Sequence, residues 1–260
     1  MARVTVLGSG TSHGVPVIGC ECPICTSTDP HDVRLRPSIY VDVPDRARLL
    51  IDTTPDFRQQ ALRHRLPRVD AVLFTHAHAD HILGFDDLRS FNFLQRAAIP
   101  AYANREAWEV LKRSFYYAFD GLPRLGGGVP QVIDHQADGP FEVGGVRVTP
   151  VPVWHGTLPV LGFRFGRFAY VTDCSRIPED SWPLLAGLDT LILGALRDEP
   201  HQTHFTVAEA LDVVRRLAPR RTFLTHMTHD LGHAATNARL PRGVELAYDG
   251  LVVDVAVDVE

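Results

Sequence analysis

Residues 75–81 read Thr-His-Ala-His-Ala-Asp-His, and no other stretch limits the fold of the chain so strongly. His76, His78, Asp80 and His81 place three imidazoles and a carboxylate within six positions. Neutral imidazole and carboxylate are ligands that zinc, manganese and iron all accept. Residues 70–75 (Asp-Ala-Val-Leu-Phe-Thr) form the short apolar run of a buried strand. A tight turn leaving such a strand can aim alternate side chains at one point. Two ions at that point need more than four donors, so the fold must deliver others. His155 after a strand near 146–153, Asp173 after a strand near 168–172 and His226 after a strand near 221–225 are the candidates. Singly each is ordinary, since a lone histidine after a strand is more often a hydrogen-bonding side chain than a ligand. Together they require strand ends that converge on one edge.

The rest of the pattern supplies such a fold. Further strands are expected at 3–7, 38–43, 47–52, 161–165 and 189–193. Helices are expected at 55–65, with Pro55 near the first turn, at 86–97, and at 104–119 with Asn104 as cap. Pro44-Asp45 and Gly166-Arg167 read as hairpin turns, and glycines 126–128 as a loop. Thr206 and Glu209 form a capping box opening a helix at 207–217, with Val207, Leu211, Val214 and Leu217 on one stripe. Residues 244–257 read as two terminal strands around Asp249-Gly250. Strands alternate with helices in both halves and no linker divides them. This fits one layered α/β sandwich over 1–260 better than a parallel barrel.

Cys20, Cys22 and Cys25 lie in an irregular, proline-bearing insertion at 15–37. Three thiolates so close make most of a tetrahedral zinc site, and closed Cys₃His sites are structural. Spacing leaves His13, His31, His229 and His233 all open as the fourth ligand. Cys174, beside Asp173, reads as a buried thiol.

The formal net charge of −5 argues against a general nucleic-acid binder. Arginines at 34, 36, 46 and 48, and at 215, 216, 220 and 221, read as solvated surface charge. No stretch approaches the ~18 apolar residues of a membrane span. The N-terminus lacks a basic region followed by an apolar one, so a cytoplasmic location is expected. The sequence is compatible with a homodimer.

The order H-x-H-x-D-H, a distant His155, Asp173 after a strand and a final His226 resembles the metallo-β-lactamase superfamily over nearly the whole chain. The resemblance implies an αβ/βα four-layer sandwich with a small zinc-binding insertion. It implies one ion on His76, His78 and His155, and a second on Asp80, His81 and His226, with Asp173 bridging. Asp52 would fix a ligand's orientation from behind. Gly8-Ser-Gly10, Val15-Pro-Val-Ile-Gly-Cys20 and the cysteine knuckle are similar to PhnP-like phosphodiesterases. That branch implies His229 as the fourth zinc ligand and His204 as a proton donor, with His201 as the alternative. The likeness is looser over 86–140, where substrate contacts would lie.

These residues permit hydrolysis. Two divalent ions (zinc or manganese, iron also suiting) acidify a shared water, so hydroxide is available near neutral pH. Asp80 and Asp173 offset the ions' charge and orient the nucleophile, and His204 protonates the departing oxygen. The expected substrate is a small phosphodiester, cyclic ones included. Fold alone does not choose among chemistries. Acyl hydrolysis of a lactone, thioester or β-lactam is the second reading. A tRNA 3′-processing nuclease is a third, opposed by the net charge and a single lysine, Lys112. A non-catalytic relative from cofactor biosynthesis is a fourth, opposed by the filled set of ligand positions.

Overall fold

A computed structural model describes residues 1–122 and 128–259. The first half contributes strands β1 (Ala2–Gly8), β2 (Ser38–Val43), β3 (Ala47–Ile51), β4 (Ala71–Leu73), β5 (Ile99–Ala103) and β6 (Val132–Gln136). It also contributes helices α1 (Phe57–His64), α2 (Ala79–Ile82), α3 (Leu88–Gln95), α4 (Arg105–Ser114) and α5 (Tyr116–Phe119). The second half contributes β7 (Phe141–Val143), β8 (Val146–His155), β9 (Leu158–Phe165), β10 (Phe168–Val171), β11 (Thr190–Gly194), β12 (Arg221–Thr225), β13 (Val244–Leu246) and β14 (Val252–Val255). Helices α6 (Val207–Leu217) and α7 (His233–Asn237) belong with it. Among the described residues no helix is long and apolar enough to cross a membrane.

The strands form two seven-stranded sheets, ordered β14-β1-β2-β3-β4-β5-β6 and β13-β12-β11-β10-β9-β8-β7. From the β14 edge of the first sheet and the β7 edge of the second, each runs through three antiparallel pairs and then three parallel ones. The sheets face each other across one apolar layer, in which Val41, Leu49 and Ile51 meet Phe163, Phe165, Phe168 and Tyr170. The outer face of the first sheet packs on Phe57, Phe85, Phe91 and Trp108 of its helical layer. The outer face of the second packs on Val207, Ala210 and Val213 of α6. The result is the four-layer αβ/βα sandwich that the metallo-β-lactamase resemblance implies.

Several expectations need adjustment. Strand β5 went unpredicted because Pro100, which has no N–H to give a ladder, sits inside it. Strand β6 is a polar edge, and β7 has three residues. Helix α4 ends at Ser114 because Phe115 leaves helical geometry, so 104–119 is two helices; Asn104 does cap the first, accepting from the Ala107 N–H. Helix α1 begins after Asp56, which puts Pro55 outside it. The Thr206–Glu209 capping box is present, but the fully buried stripe of α6 is Val207, Ala210 and Val213. The two terminal strands do not pair: β13 joins β12 and β14 joins β1, in different sheets. Of the 126–128 loop, residues 126 and 127 lie outside the described residues. The 15–37 insertion is irregular apart from a short 3₁₀ turn at Pro30–Asp32.

Candidate metal centre

All the predicted donors meet at one edge of the sandwich. Strand β4 ends at Leu73, and the chain turns through His76 and His78 into α2, which carries Asp80 and His81 on its single turn. His155 is the last residue of β8 rather than a residue beyond it. Asp173 lies two residues past β10, and His226 one past β12. Asp52, Asp173 and His226 all have positive φ, at 63°, 50° and 62°. Asp and His visit this region more readily than most residues, yet each such position carries strain of about 1–3 kcal/mol.

Donor atoms of His76, His78 and His155 lie within 4.8 Å of one another, as do those of Asp80, His81, Asp173 and His226. A third set overlaps both: His155, Asp173 and His204. Apart from His78 and His204, these side chains are buried.

Supporting hydrogen bonds fix which nitrogen His81 and His155 present. His81 Nδ1 is 2.7 Å from Asp52 Oδ2, and Asp52 also accepts from the Thr75 N–H and hydroxyl at 2.8 Å each. His155 Nδ1 donates to the Thr203 carbonyl at 2.7 Å. Gly156 allows this approach: it has φ +61°, and a Cβ there would come within 2.8 Å of Thr203 Cγ2. Such outer partners set the tautomer of a ligand histidine and leave Nε2 free. Gly84 seats α2 in the same way, since a Cβ there would sit 2.1 Å from the Thr54 carbonyl. Thr75 and Thr203 carried no sequence signal of their own; only their neighbours in space reveal their part.

His81 Nε2 then stands 3.3 Å from both Asp80 Oδ2 and Asp173 Oδ2. His226 Nε2 stands 3.0 Å from Asp173 Oδ1 and 3.6 Å from Asp80 Oδ2. Both nitrogens are buried and have no hydrogen-bond partner among the described residues. Two ring nitrogens facing these carboxylates call for positive charge between them, supplied by protons or by a cation, so the donor set fits divalent ions. The titration behaviour says the same. Burial alone would lower His226, but Asp173 and Asp80 raise it to about 9. Burial opposes a charged His81 too, and Asp173, Asp80 and Asp52 override it. Burial works to raise Asp173, yet His226 and His81 hold it well below the usual carboxylate range. Three buried carboxylates, Asp52, Asp80 and Asp173, thus gather positive charge around them.

His204 stands at the rim. Its ring lies 4.5 Å from that of His155 and 4.8 Å from that of His226, and its Nδ1 is 3.8 Å from Asp173 Oδ1. Thr206 caps α6, so His204 does not serve as the cap. Burial, reinforced by His226, pushes its imidazole down to about 3 rather than leaving it near its ordinary value. His201 is exposed and turns to Thr203.

The second cluster is complete. The sulfurs of Cys20, Cys22 and Cys25 lie 3.3, 3.5 and 3.2 Å from His229 Nδ1. A tetrahedral zinc with ~2.3 Å sulfur bonds and ~2.0 Å nitrogen bonds sets such edges at roughly 3.5 Å. The N–H of Cys25 donates to Cys22, whose thiol is lowered to about 7, while burial pushes Cys25 up to about 11. Buried Arg34 holds the Thr228 and Leu231 carbonyls on either side of His229. His31 and His233 stack on each other instead, 4.6 Å apart. Burial pushes Cys174 up to about 12, as befits a plain buried thiol.

Residues 47–227 match the family model of the β-lactamase superfamily domain. A solved structure described as a new diphosphatase from the PhnP family is 46% identical, with TM-score 0.93 and 100% of both chains covered. An octanoyltransferase from Porphyromonas gingivalis is 36% identical over 254 residues, which is 96% of this chain. The chain spans 51% of that relative's length. Coenzyme PQQ synthesis protein B from Methylorubrum extorquens is 32% identical over 73% of this chain and 71% of its own length. Fold, strand-end cluster and family match agree: the chain belongs to the metallo-β-lactamase superfamily and resembles its PhnP-like branch.

Proposed function

We propose that this chain is a metal-dependent phosphodiesterase acting on a small diester, cyclic diesters included. His76, His78 and His155 would hold one divalent ion, and Asp80, His81 and His226 a second, with Asp173 shared. Zinc, manganese and iron all suit these ligands. Cys20, Cys22, Cys25 and His229 would hold a structural zinc. When bound, the two active-site cations supply an acidified water and stabilise charge on phosphoryl oxygens.

The side chains do the rest. Asp52 and the Thr203 carbonyl keep the His81 and His155 rings in register. Asp80 and Asp173 accept hydrogen bonds from the attacking water and aim it. His204 meets the departing oxygen and hands it a proton. An anionic diester beside it favours its protonated form, the form from which it donates.

The observation that carries this reading is the convergence of seven donors from four strand ends and turns, with His204 beside them on an open cavity. The 46% identical diphosphatase supports attack at phosphorus, since a diphosphate also yields by P–O cleavage. The octanoyltransferase match keeps acyl transfer as the competing chemistry. A panel of bis(p-nitrophenyl) phosphate, aryl esters, lactones and thioesters separates them. We expect chelator-sensitive turnover of the phosphodiester, restored by added metal. Turnover confined to the acyl substrates would overturn the reading.

A further inference from the structure

Two unlike cavities border the site, one at His204, where it also meets His229 of the cysteine cluster, and the other at His76 and His78. One, of about 370 Å³, is lined by Thr11, Ser12, His13, Arg197, His201 and His204. The other, of about 230 Å³, touches His76 and His78 and is walled by Ala77, Ala107, Val110, Leu158 and Pro159. His155 stands between them, its ring 5.0 Å from that of His78 and 4.5 Å from that of His204.

The chemistry of the two walls differs. The larger offers three hydroxyls, counting Thr228, together with imidazoles and the Arg197 guanidinium. Its carboxylate, Asp230, already accepts from the Thr228 hydroxyl at 2.7 Å. Among the described residues Arg197 makes two hydrogen bonds, to the Glu199 and Pro200 carbonyls at 3.3 Å each, and retains donors. The smaller cavity is mostly carbon. Asn104 is occupied there, capping α4 through its carbonyl and donating to Pro159 through its amide. Its one charge is Glu106, which is exposed and repels an anion.

We infer that the substrate is an asymmetric phosphodiester, with a polyhydroxylated alcohol in the Arg197 cavity and an apolar group in the Val110 cavity, and that the polyhydroxylated alcohol leaves. This rests on the phosphodiesterase reading. The orientation follows from His204, which lines only the polar cavity. Water oxygen bonds to phosphorus as the P–O bond to the polar alcohol breaks. The departing oxygen keeps the electron pair and takes the proton from His204, which recovers one from the attacking water through solvent. One water is consumed, giving one alcohol and one phosphomonoester that keeps the apolar group.

Glyceryl phenyl phosphate tests the assignment, because intrinsic reactivity favours loss of phenoxide. The holoenzyme is expected to release glycerol and phenyl phosphate over phenol and glycerol phosphate by about tenfold, because proton donation at the glycerol oxygen together with the pocket contacts outweighs the intrinsic bias. Arg197→Ala is expected to raise KM for this diester about tenfold, change kcat little, and shift products toward phenol. Phenol as the main product would overturn the orientation and leave the phosphodiesterase reading standing. Refusal of this diester by a protein that cleaves bis(p-nitrophenyl) phosphate would also overturn it. Failure to cleave any phosphodiester would overturn the reading beneath it.

Discussion

The two sheets run through the same succession of antiparallel and parallel pairs, and each sends an aspartate off the end of its fourth strand with positive φ: Asp52 after β3 and Asp173 after β10. Their backbones make the same turn, yet their surroundings assign them different work. Asp52 is fully buried, and its oxygens are taken up by Thr75 and His81 Nδ1. Asp173 keeps one oxygen toward His226 and the other toward His81, with the Thr172 hydroxyl donating at 2.7 Å. One carboxylate is consumed in orienting a ring, and the other faces the rings' free nitrogens. A duplicated architecture can thus differentiate by what packs opposite a residue, with no change at the residue itself.

Substitutions can break that contrast. Asp173→Ala should reduce turnover by about 1000-fold or more and lower bound metal, measured by steady-state assay and elemental analysis. A variant that keeps full metal and activity would erase the difference between the halves. His204→Asn should lower kcat by about a hundredfold at unchanged metal content, most for poor leaving groups. Loss of metal instead would assign His204 to the overlapping set with His155 and Asp173. Asp52→Asn should cost about tenfold in metal affinity or activity, as loss of a ligand's outer partner does. An effect as large as that of Asp173→Ala would sink the division of labour. Cys22→Ser should lower Tm and zinc content while moving kcat by less than about twofold; a stable variant with unchanged zinc would argue against a structural role.

Acidity sharpens the contrast from another side. In chelator-treated protein His226 sits at about 9, above its ordinary value. A raised imidazole contributes stability that is complete below about pH 6.5 and disappears as pH rises through its folded value. The Tm of the metal-free protein should therefore fall between about pH 6.5 and 9, and restored metal should flatten that slope because ligation needs the neutral ring. A metal-free Tm that rises over this window would contradict the electrostatics described for Asp173 and His226.

Much of this was legible in the sequence because candidate metal donors announce themselves by type and spacing. The 76–81 turn, the capping box at Thr206 and the cysteine knuckle are local patterns, and each appears where expected. What stayed hidden depends on long-range geometry. Pairing of β13 and β14 with different sheets cannot be read from a shared turn. Pro100 disguised β5, a strand held by its neighbours rather than by its own propensity. Thr203, 48 residues from His155, orients that ring through a backbone carbonyl that any residue could provide. The depressed basicity of His204 follows from burial, which no motif reports.

The central claim is that strand ends from both halves enclose a pair of cations. Anomalous diffraction at the manganese and zinc edges, on crystals of the metal-loaded protein, tests it most directly. The account predicts two neighbouring peaks among His76, His78, His155, Asp80, His81, His226 and Asp173, and a separate zinc peak at Cys20, Cys22, Cys25 and His229. A single peak away from Asp173, or none at the 76–81 turn, would contradict it.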